Sequence, residues 1–309
     1  MELEVGYGSL SAASSQPSLA EFLAAPLETV RKIAPTTMLL GTGGTRRRAV
    51  LAGLSTHGED YALWTRQQMM ACYELIFEHG VQHLVATMLV SSHNEETTPG
   101  YRDKIVGWTA WATVGTEALE AYARLGWRVR LIGEESWPEL APVAAQLREA
   151  TAHHTGPTLW YSVASRAEQT WGRMLELAIE QRITTREELV RAFYGEDIPP
   201  ATLYLGAGKP QVEDSQIPLL LVGKLECYWR QHLGYDLDAV TLRTILYDYA
   251  YLRPTWRADK TGRAEAIHTY AQAWEDPPVI GLGTRLGPFW YPAPIPEVFN
   301  AAVNNENPA

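Results

Sequence analysis

The chain has 309 residues, with 26 Lys and Arg against 36 Asp and Glu, a net charge of −10 at neutral pH. That balance argues against a protein that coats nucleic acid, because tracking phosphates needs a basic face, whereas a small anion needs only a local cluster of positive charge. An apolar fraction of 46% with 20% charged residues is that of a globular chain, and Cys72 and Cys227 alone are too few for a disulfide framework or a Cys-rich zinc site.

The N-terminus carries Glu2 and Glu4 rather than a basic stretch, and the longest aliphatic run, 217–222, contains Pro218. Neither a secretory leader nor a membrane span is expected, so the location implied is cytoplasmic. Trp (11) and Tyr (15) far outnumber Phe (5). Rings with a polar handle suit half-wet pocket walls, and their faces attract cations. A core that merely uses Trp and Tyr is the alternative.

In chain order, residues 1–17 are small and polar and are expected to be flexible. Ser18 and Glu21 form a capping box that opens a first helix, interrupted at Pro26. Met38-Leu39-Leu40 reads as a buried strand running into Gly41-Thr42-Gly43-Gly44-Thr45-Arg46-Arg47-Arg48. Helical periodicity covers 59–79 and stops at Gly80. A strand follows over 81–90, then the polar loop 91–96. The spacing predicts helices over 103–125, 138–150 and 168–181, separated by strands over 127–132 and 158–164. Thr185 and Glu188 open a further helix carrying Tyr194. The short strand 203–205 leads into Gly206-Ala207-Gly208-Lys209, and helices are expected over 219–232 and 239–252. The end of the chain is rich in proline.

Alternating strands and helices with short connections predict a single-domain α/β fold, a mostly parallel sheet flanked by helices. In such sheets ligands sit beyond the carboxyl ends of the strands, where loops 41–48, 91–96 and 206–209 would converge. Glycines after a strand let the backbone approach an anion, and three arginines supply charge suited to phosphate oxygens. The loop matches neither a Walker A sequence nor a G-x-G-x-x-G fingerprint. If it were only a solvated turn, at least one arginine should find a carboxylate partner.

These segments resemble the cis-prenyltransferase superfamily over about residues 36–253. The Gly-Arg loop sits where that family has M-D-G-N-G-R-W, and Ser91-Ser92-His93-Asn94-Glu95 where it has S-T-E-N-W. Residues 128–134 match its R-V-R-V-I-G-D strand. Residues 154–159 match N-T-G-L-T-L, with Arg166 near the arginine of Y-G-G-R. The divergent branch of diterpene synthases that make tuberculosinol or kolavelool is a closer likeness. Its D-G-T-R-R-W is matched by Gly43-Gly44-Thr45-Arg46-Arg47-Arg48. Its other shared segments are matched by Phe77-Glu78-His79-Gly80, by Thr185-Arg186-Glu187-Glu188 with Phe193-Tyr194-Gly195-Glu196, and by 241–248 with 251–253.

The resemblance implies a catalytic domain over 18–260, with a Pro-rich extension over 261–309 that packs on the body or a partner. It implies a homodimer and an isoprenoid diphosphate substrate held by Gly43, Gly44, Thr45, Arg46, Arg47, Arg48, Asn94 and Arg166. Tyr61 aligns with a tyrosine that faces the reacting carbon, so Tyr61, Arg46 and Arg47 are the expected catalytic residues. The family's loop aspartate, which helps hold Mg²⁺ and diphosphate, is Gly43 here; Asp60, Glu95 and Glu96 are the candidate replacements. The R-x-S-G-E-x-R-x-S-N-F element that binds a second isoprenoid diphosphate is missing around 205–210, which makes chain elongation an unfavourable assignment.

The expected reaction is ionisation of a bicyclic allylic C20 diphosphate and capture of the cation by water. Transfer to another acceptor, or a non-catalytic partner subunit of a prenyltransferase, are the alternatives. His93 and the pair His153 and His154 are candidate bases, and Lys209, Lys224 and Arg243 are further phosphate-binding candidates.

Overall fold

The computed structural model describes residues 17–252 apart from 57, 164–166, 208–211, 213–216 and 231, together with three short strands between 280 and 291. Residues 1–16 of the flexible N-terminus expected over 1–17, Arg166, Lys209 and most of the 261–309 extension therefore lie outside the described residues.

Helices α1 (Leu19–Ala24) and α2 (Leu27–Arg31) are separated by Pro26. The Ser18 hydroxyl accepts from the Glu21 N–H at 3.3 Å, and the Glu21 carboxylate accepts from the Ser18 N–H at 2.8 Å, which is the expected capping box. The order is then β1 (Thr37–Gly41), α3 (Thr45–Leu51), α4 (Glu59–Glu78), β2 (His83–Leu89), α5 (Tyr101–Val114), α6 (Thr116–Leu125) and β3 (Arg128–Ile132). It continues with α7 (Ala141–Ala150), β4 (Thr158–Val163), α8 (Ala167–Glu180), α9 (Arg186–Tyr194), β5 (Leu203–Ala207), β6 (Glu226–Arg230) and α10 (Ala239–Tyr247). Short strands β7 (Ile280–Gly281), β8 (Thr284–Leu286) and β9 (Phe289–Tyr291) make a separate small sheet.

Six strands form one sheet in the order β3-β4-β2-β1-β5-β6, every pair parallel. Pleating divides the side chains between two cores. Met38, Leu40, Leu84, Ala86 and Leu131 join the core that includes residues of α4, α6 and α7, while Leu39, Val85, Trp160 and Tyr204 face the core that includes α9. Each fully buried Leu or Val contributes about 1.5–3 kcal/mol relative to exposure, so the central strands are strongly held.

Three expectations are corrected. The helix expected over 103–125 is two helices, because Gly115 adopts an extended ψ of 150° that ends α5 and begins α6. The helix expected over 239–252 ends at Tyr247 and continues as a π-helical turn, Asp248–Leu252. The helix expected over 219–232 is a turn followed by β6. Gly223 at φ 86° breaks the helical path, and Cys227, Tyr228 and Trp229 suit a half-buried pleated strand.

At the sheet margin the Thr151 hydroxyl accepts from the Val129 N–H at 3.0 Å, and Arg130 Nη1 donates to the Val129 carbonyl at 2.8 Å. Side chains thus occupy both polar groups of a backbone position on edge strand β3.

One buried histidine ties three helices. His79 Nδ1 donates to the Leu75 carbonyl at 2.7 Å, which leaves Nε2 to accept from Arg243 Nε at 3.4 Å. Arg243 also donates to the Leu23 and Ala25 carbonyls at 2.7 and 2.8 Å, binding α10 to α1. Burial lowers the His79 pKa; the Leu75 carbonyl and Glu78 oppose this, and the Arg243 and Arg31 charges add to it. The unfolded chain takes up this proton near pH 6.5, and the folded chain only below that. Stability is therefore full above pH 6.5 and falls as pH drops through the lower folded value. The urea midpoint should fall between pH 7.5 and 5.5, and His79→Gln should flatten that dependence. An unchanged slope in the variant would remove His79 from the account.

Candidate active site

The chain leaves β1 at Gly41, which lies beside Gly206 of β5, and β6 ends next to Ala207. The exits of β1, β5 and β6 thus share one rim, and the exit of β2 adjoins it. Gly44 takes φ 75° and opens α3, so Arg46, Arg47 and Arg48 stand on a short helix rather than in the extended loop expected. Arg46 and Arg47 are exposed. Arg48 is partly engaged: its Nε donates to Asp236 Oδ2 at 2.9 Å. With both side chains partly exposed, such a pair contributes no more than about 1 kcal/mol, so its main effect is orientation. One arginine of the three has the carboxylate partner expected of a solvated turn, and two have no ion pair among the described residues.

Tyr61, in the first turn of α4, is half-buried, and its hydroxyl shares a 3.0 Å hydrogen bond with Thr45 Oγ1. The structure therefore brings together Gly43, Gly44, Thr45, Arg46, Arg47 and Tyr61. The loop after β2 is a 3₁₀ turn, Ser91–Asn94. Glu96 accepts from the Thr98 hydroxyl and N–H at 2.6 and 3.1 Å. These bonds hold its carboxyl below the usual range, with a smaller contribution from the Arg46 charge, which brings the β2 exit into the electrostatic reach of α3.

The other candidates separate. His93 Nδ1 accepts from the Val90 N–H at 3.0 Å, so neutral imidazole carries its proton on Nε2 and cannot act as a base there. His154 Nδ1 donates to the Trp127 carbonyl at 2.7 Å, at the opposite end of the sheet, where β3 and β4 begin. Arg243 is taken up with α1 and His79, and Lys224 precedes the start of β6. None of the last three sits at the rim.

The donor set does not fit a protein-held Mg²⁺. Gly43 supplies no carboxylate, and a Cβ there would lie 3.2 Å from the Ala207 carbonyl oxygen. Asp236 is taken by Arg48 and Glu96 by Thr98, while Asp60 and Glu95 are exposed. Among the described residues, no three His, Cys, Asp or Glu side chains cluster as metal ligands.

The reversal after β6 was not foreseen as part of the site, because the stretch before it, 219–232, was read as helical. Two residues there grip the loop. The Gly234 N–H donates to the Gly43 carbonyl at 2.7 Å, and the Asp236 carboxylate accepts from Arg48 Nε at 2.9 Å. Buried rings continue inward from it. Tyr235 meets Tyr73 edge-on at 5.8 Å, Tyr73 meets Tyr161 at 6.1 Å, and the Tyr161 and Tyr122 hydroxyls are 2.9 Å apart. Burial raises the pKa of all four phenols. Nearby, the Arg66 guanidinium lies 4.1 Å over the Trp111 ring and pairs with Glu117.

No protein-family model matches the chain. It is 47% identical to the (+)-kolavelool synthase of Herpetosiphon aurantiacus over 276 residues, covering 89% of this chain and 96% of that protein. It is 24% identical to the tuberculosinyl adenosine transferase of Mycobacterium tuberculosis over 291 residues, covering 88% and 97%. Among solved structures it superposes on lavandulyl diphosphate synthase from Lavandula x intermedia with a TM-score of 0.57, at 15% identity, covering 74% of this chain and 98% of that one. A probable undecaprenyl diphosphate synthase from Campylobacter jejuni gives a TM-score of 0.53 at 18% identity, covering 70% and 95%. At these identities the two structures show a shared fold alone. Among the described residues, no helix is long and apolar enough to cross a membrane.

Gly44 supports a stability prediction. A Cβ there would meet Leu233 Cδ2 at 2.8 Å, in addition to the strain of φ 75°, whereas Gly53 at φ 77° has open space around it. Both Gly44→Ala and Gly53→Ala should lose about 1–2 kcal/mol from the left-handed backbone. Gly44→Ala should lose more, because of the clash. Urea unfolding of the two variants measures the difference, and equal losses would show that Leu233 does not press on the loop.

Proposed function

The chain belongs to the family of (+)-kolavelool synthase, terpene synthases on the cis-prenyltransferase fold, and from that premise we propose the following reaction. The enzyme ionises a bicyclic allylic C20 diphosphate of the kolavenyl or tuberculosinyl type and captures the cation with water, giving a diterpene alcohol and diphosphate. The supporting observation is the convergence of exposed Arg46 and Arg47 with the Tyr61–Thr45 hydroxyl pair at the exit of β1.

In this reading Arg46 and Arg47, with Gly43, Gly44 and Thr45, hold the diphosphate, and Asn94 and Arg166 complete the grip. Guanidinium charge beside the leaving group stabilises the negative charge that develops as the C–O bond breaks. Arg48 holds the loop through Asp236 rather than touching phosphate. Tyrosine and tryptophan faces shelter the cation. Tyr61, one hydrogen bond from the loop, orients the water that attacks it. The chain acts as a homodimer, which light scattering after gel filtration would test.

Transfer of the cation to an acceptor other than water is a second reading, favoured by the relative named as a tuberculosinyl adenosine transferase. Product analysis with geranylgeranyl, kolavenyl and tuberculosinyl diphosphates in ¹⁸O-labelled water separates the two. A labelled alcohol from a bicyclic substrate is expected. An unlabelled alcohol, or an efficient nucleoside adduct, would favour transfer. Tyr61→Phe should lower the ratio of alcohol to hydrocarbon elimination products.

Arg46→Ala and Arg47→Ala should each lower turnover about 10²-fold, and Arg48→Ala less. Losses below about threefold in both of the first two variants would sink the proposed grip. Because the donor set does not fit a protein-held ion, excess chelator should cost less than either substitution. Strict magnesium dependence would instead require a ligand among Asp60, Glu95 and Glu96, which alanine at each would reveal.

A further inference from the structure

We propose that Arg230 is the positioning residue of the diphosphate loop: its buried guanidinium fixes the reversal after β6, and that reversal sets where Arg46 and Arg47 stand. The assignment rests on the proposed function, in which that loop takes the diphosphate.

Arg230 is the last residue of β6 and only 8% exposed. It pairs with no carboxylate among the described residues. Nη1 donates to the Asp236 carbonyl and Nη2 to the Gly234 carbonyl at 3.3 Å, while Nε has no partner there. Burying a guanidinium costs several kcal/mol, and backbone carbonyls return less than an ion pair would. An apolar side chain would fill the space with less penalty. What arginine adds is a rigid planar fork, here holding two carbonyls two residues apart at a fixed separation.

The held segment is the one that grips the loop. Gly234 bonds Gly43, and Asp236 bonds Arg48. Gly234, at φ 68°, also packs against the Thr45 backbone, where a Cβ would stand 3.5 Å from Thr45 Cα. Gly234 and Asp236 thus transmit any displacement of the reversal to both sides of Gly44. Arg46 and Arg47 follow immediately on α3. A shift of about 1 Å in groups that align a reacting bond can cost on the order of 10²-fold in rate.

The test measures inorganic diphosphate binding by calorimetry, with KM and kcat for a bicyclic C20 diphosphate, on Arg230→Met, Arg230→Gln and Arg230→Lys well below their melting temperatures. Arg230→Met should raise the Kd for diphosphate about 10-fold or more and KM in parallel, with the circular dichroism of the wild type. Arg230→Lys, which keeps one donor position, should recover part of that loss. In an Arg46→Ala background Arg230→Met should add little, because the group being positioned has gone.

A purely structural role would lower the melting temperature but leave the Kd of folded protein unchanged, and that result overturns the assignment. Additive losses in the double variant overturn it too. If Arg230→Met does not fold, Arg230→Gln and Arg230→Lys decide by the same criteria. If Arg46→Ala weakens diphosphate binding while folded Arg230 variants bind as the wild type does, the positioning role fails and the proposed function stands. Wild-type protein that binds no diphosphate overturns both.

Discussion

Strand β1 is hydrogen-bonded along both edges and buried on both faces, and the rest of the molecule is arranged around that constraint. Between β2 and β5, Thr37, Met38, Leu39 and Leu40 are all sealed. No chemistry can be carried within such a strand; it can only be carried where the chain leaves it. The register that sets Gly41 against Gly206 then brings the exits of β1 and β5 so close that Ala207 faces Gly43. A side chain at position 43 would bring its Cβ to 3.2 Å from the Ala207 carbonyl oxygen, a tight contact that glycine avoids. The departure from the family's aspartate and the packing of the two exits are consistent with each other.

The charge that the structure shows at this rim is that of the arginines on α3. In a chain of net charge −10, two exposed arginines without ion pairs among the described residues stand out against the background field. The third arginine is diverted into fixing the loop. A run of three like charges would otherwise repel itself, and the Asp236 carboxylate relieves part of that repulsion while leaving its neighbours exposed.

Much of the fold was legible in the sequence because local signals were strong. The Ser18 and Glu21 box, the glycines that stop helices, and the alternation of apolar runs with amphipathic stretches each state a backbone preference directly. The loop 41–48 and Tyr61 could be proposed from the sequence because residue type there is the chemistry. Arg230 and the 234–236 reversal were not. Aromatic β6 residues sit in a stretch whose apolar spacing also suits a helix, and the worth of a buried arginine depends on carbonyls that only the fold supplies. The pairing of Arg48 with Asp236 joins residues 188 positions apart, so no local pattern could announce it. The role of His93, a candidate base in the sequence, was not legible for a similar reason. Its chemistry is decided by which ring nitrogen the Val90 amide occupies.

Edge strand β3 closes the sheet in a specific way. The Val129 amide and carbonyl, which would otherwise point outward as a template, are taken by Thr151 and by the folded-back arm of Arg130. Arg128, on the same strand, is held by Glu196 at 2.8 Å. A foreign strand arriving at this margin would have to displace an internal hydrogen bond and strip water from guanidinium groups before gaining a ladder of its own. Templated growth of the sheet into a fibre is thereby disfavoured at this margin, and β3 can serve as the outer boundary of the fold.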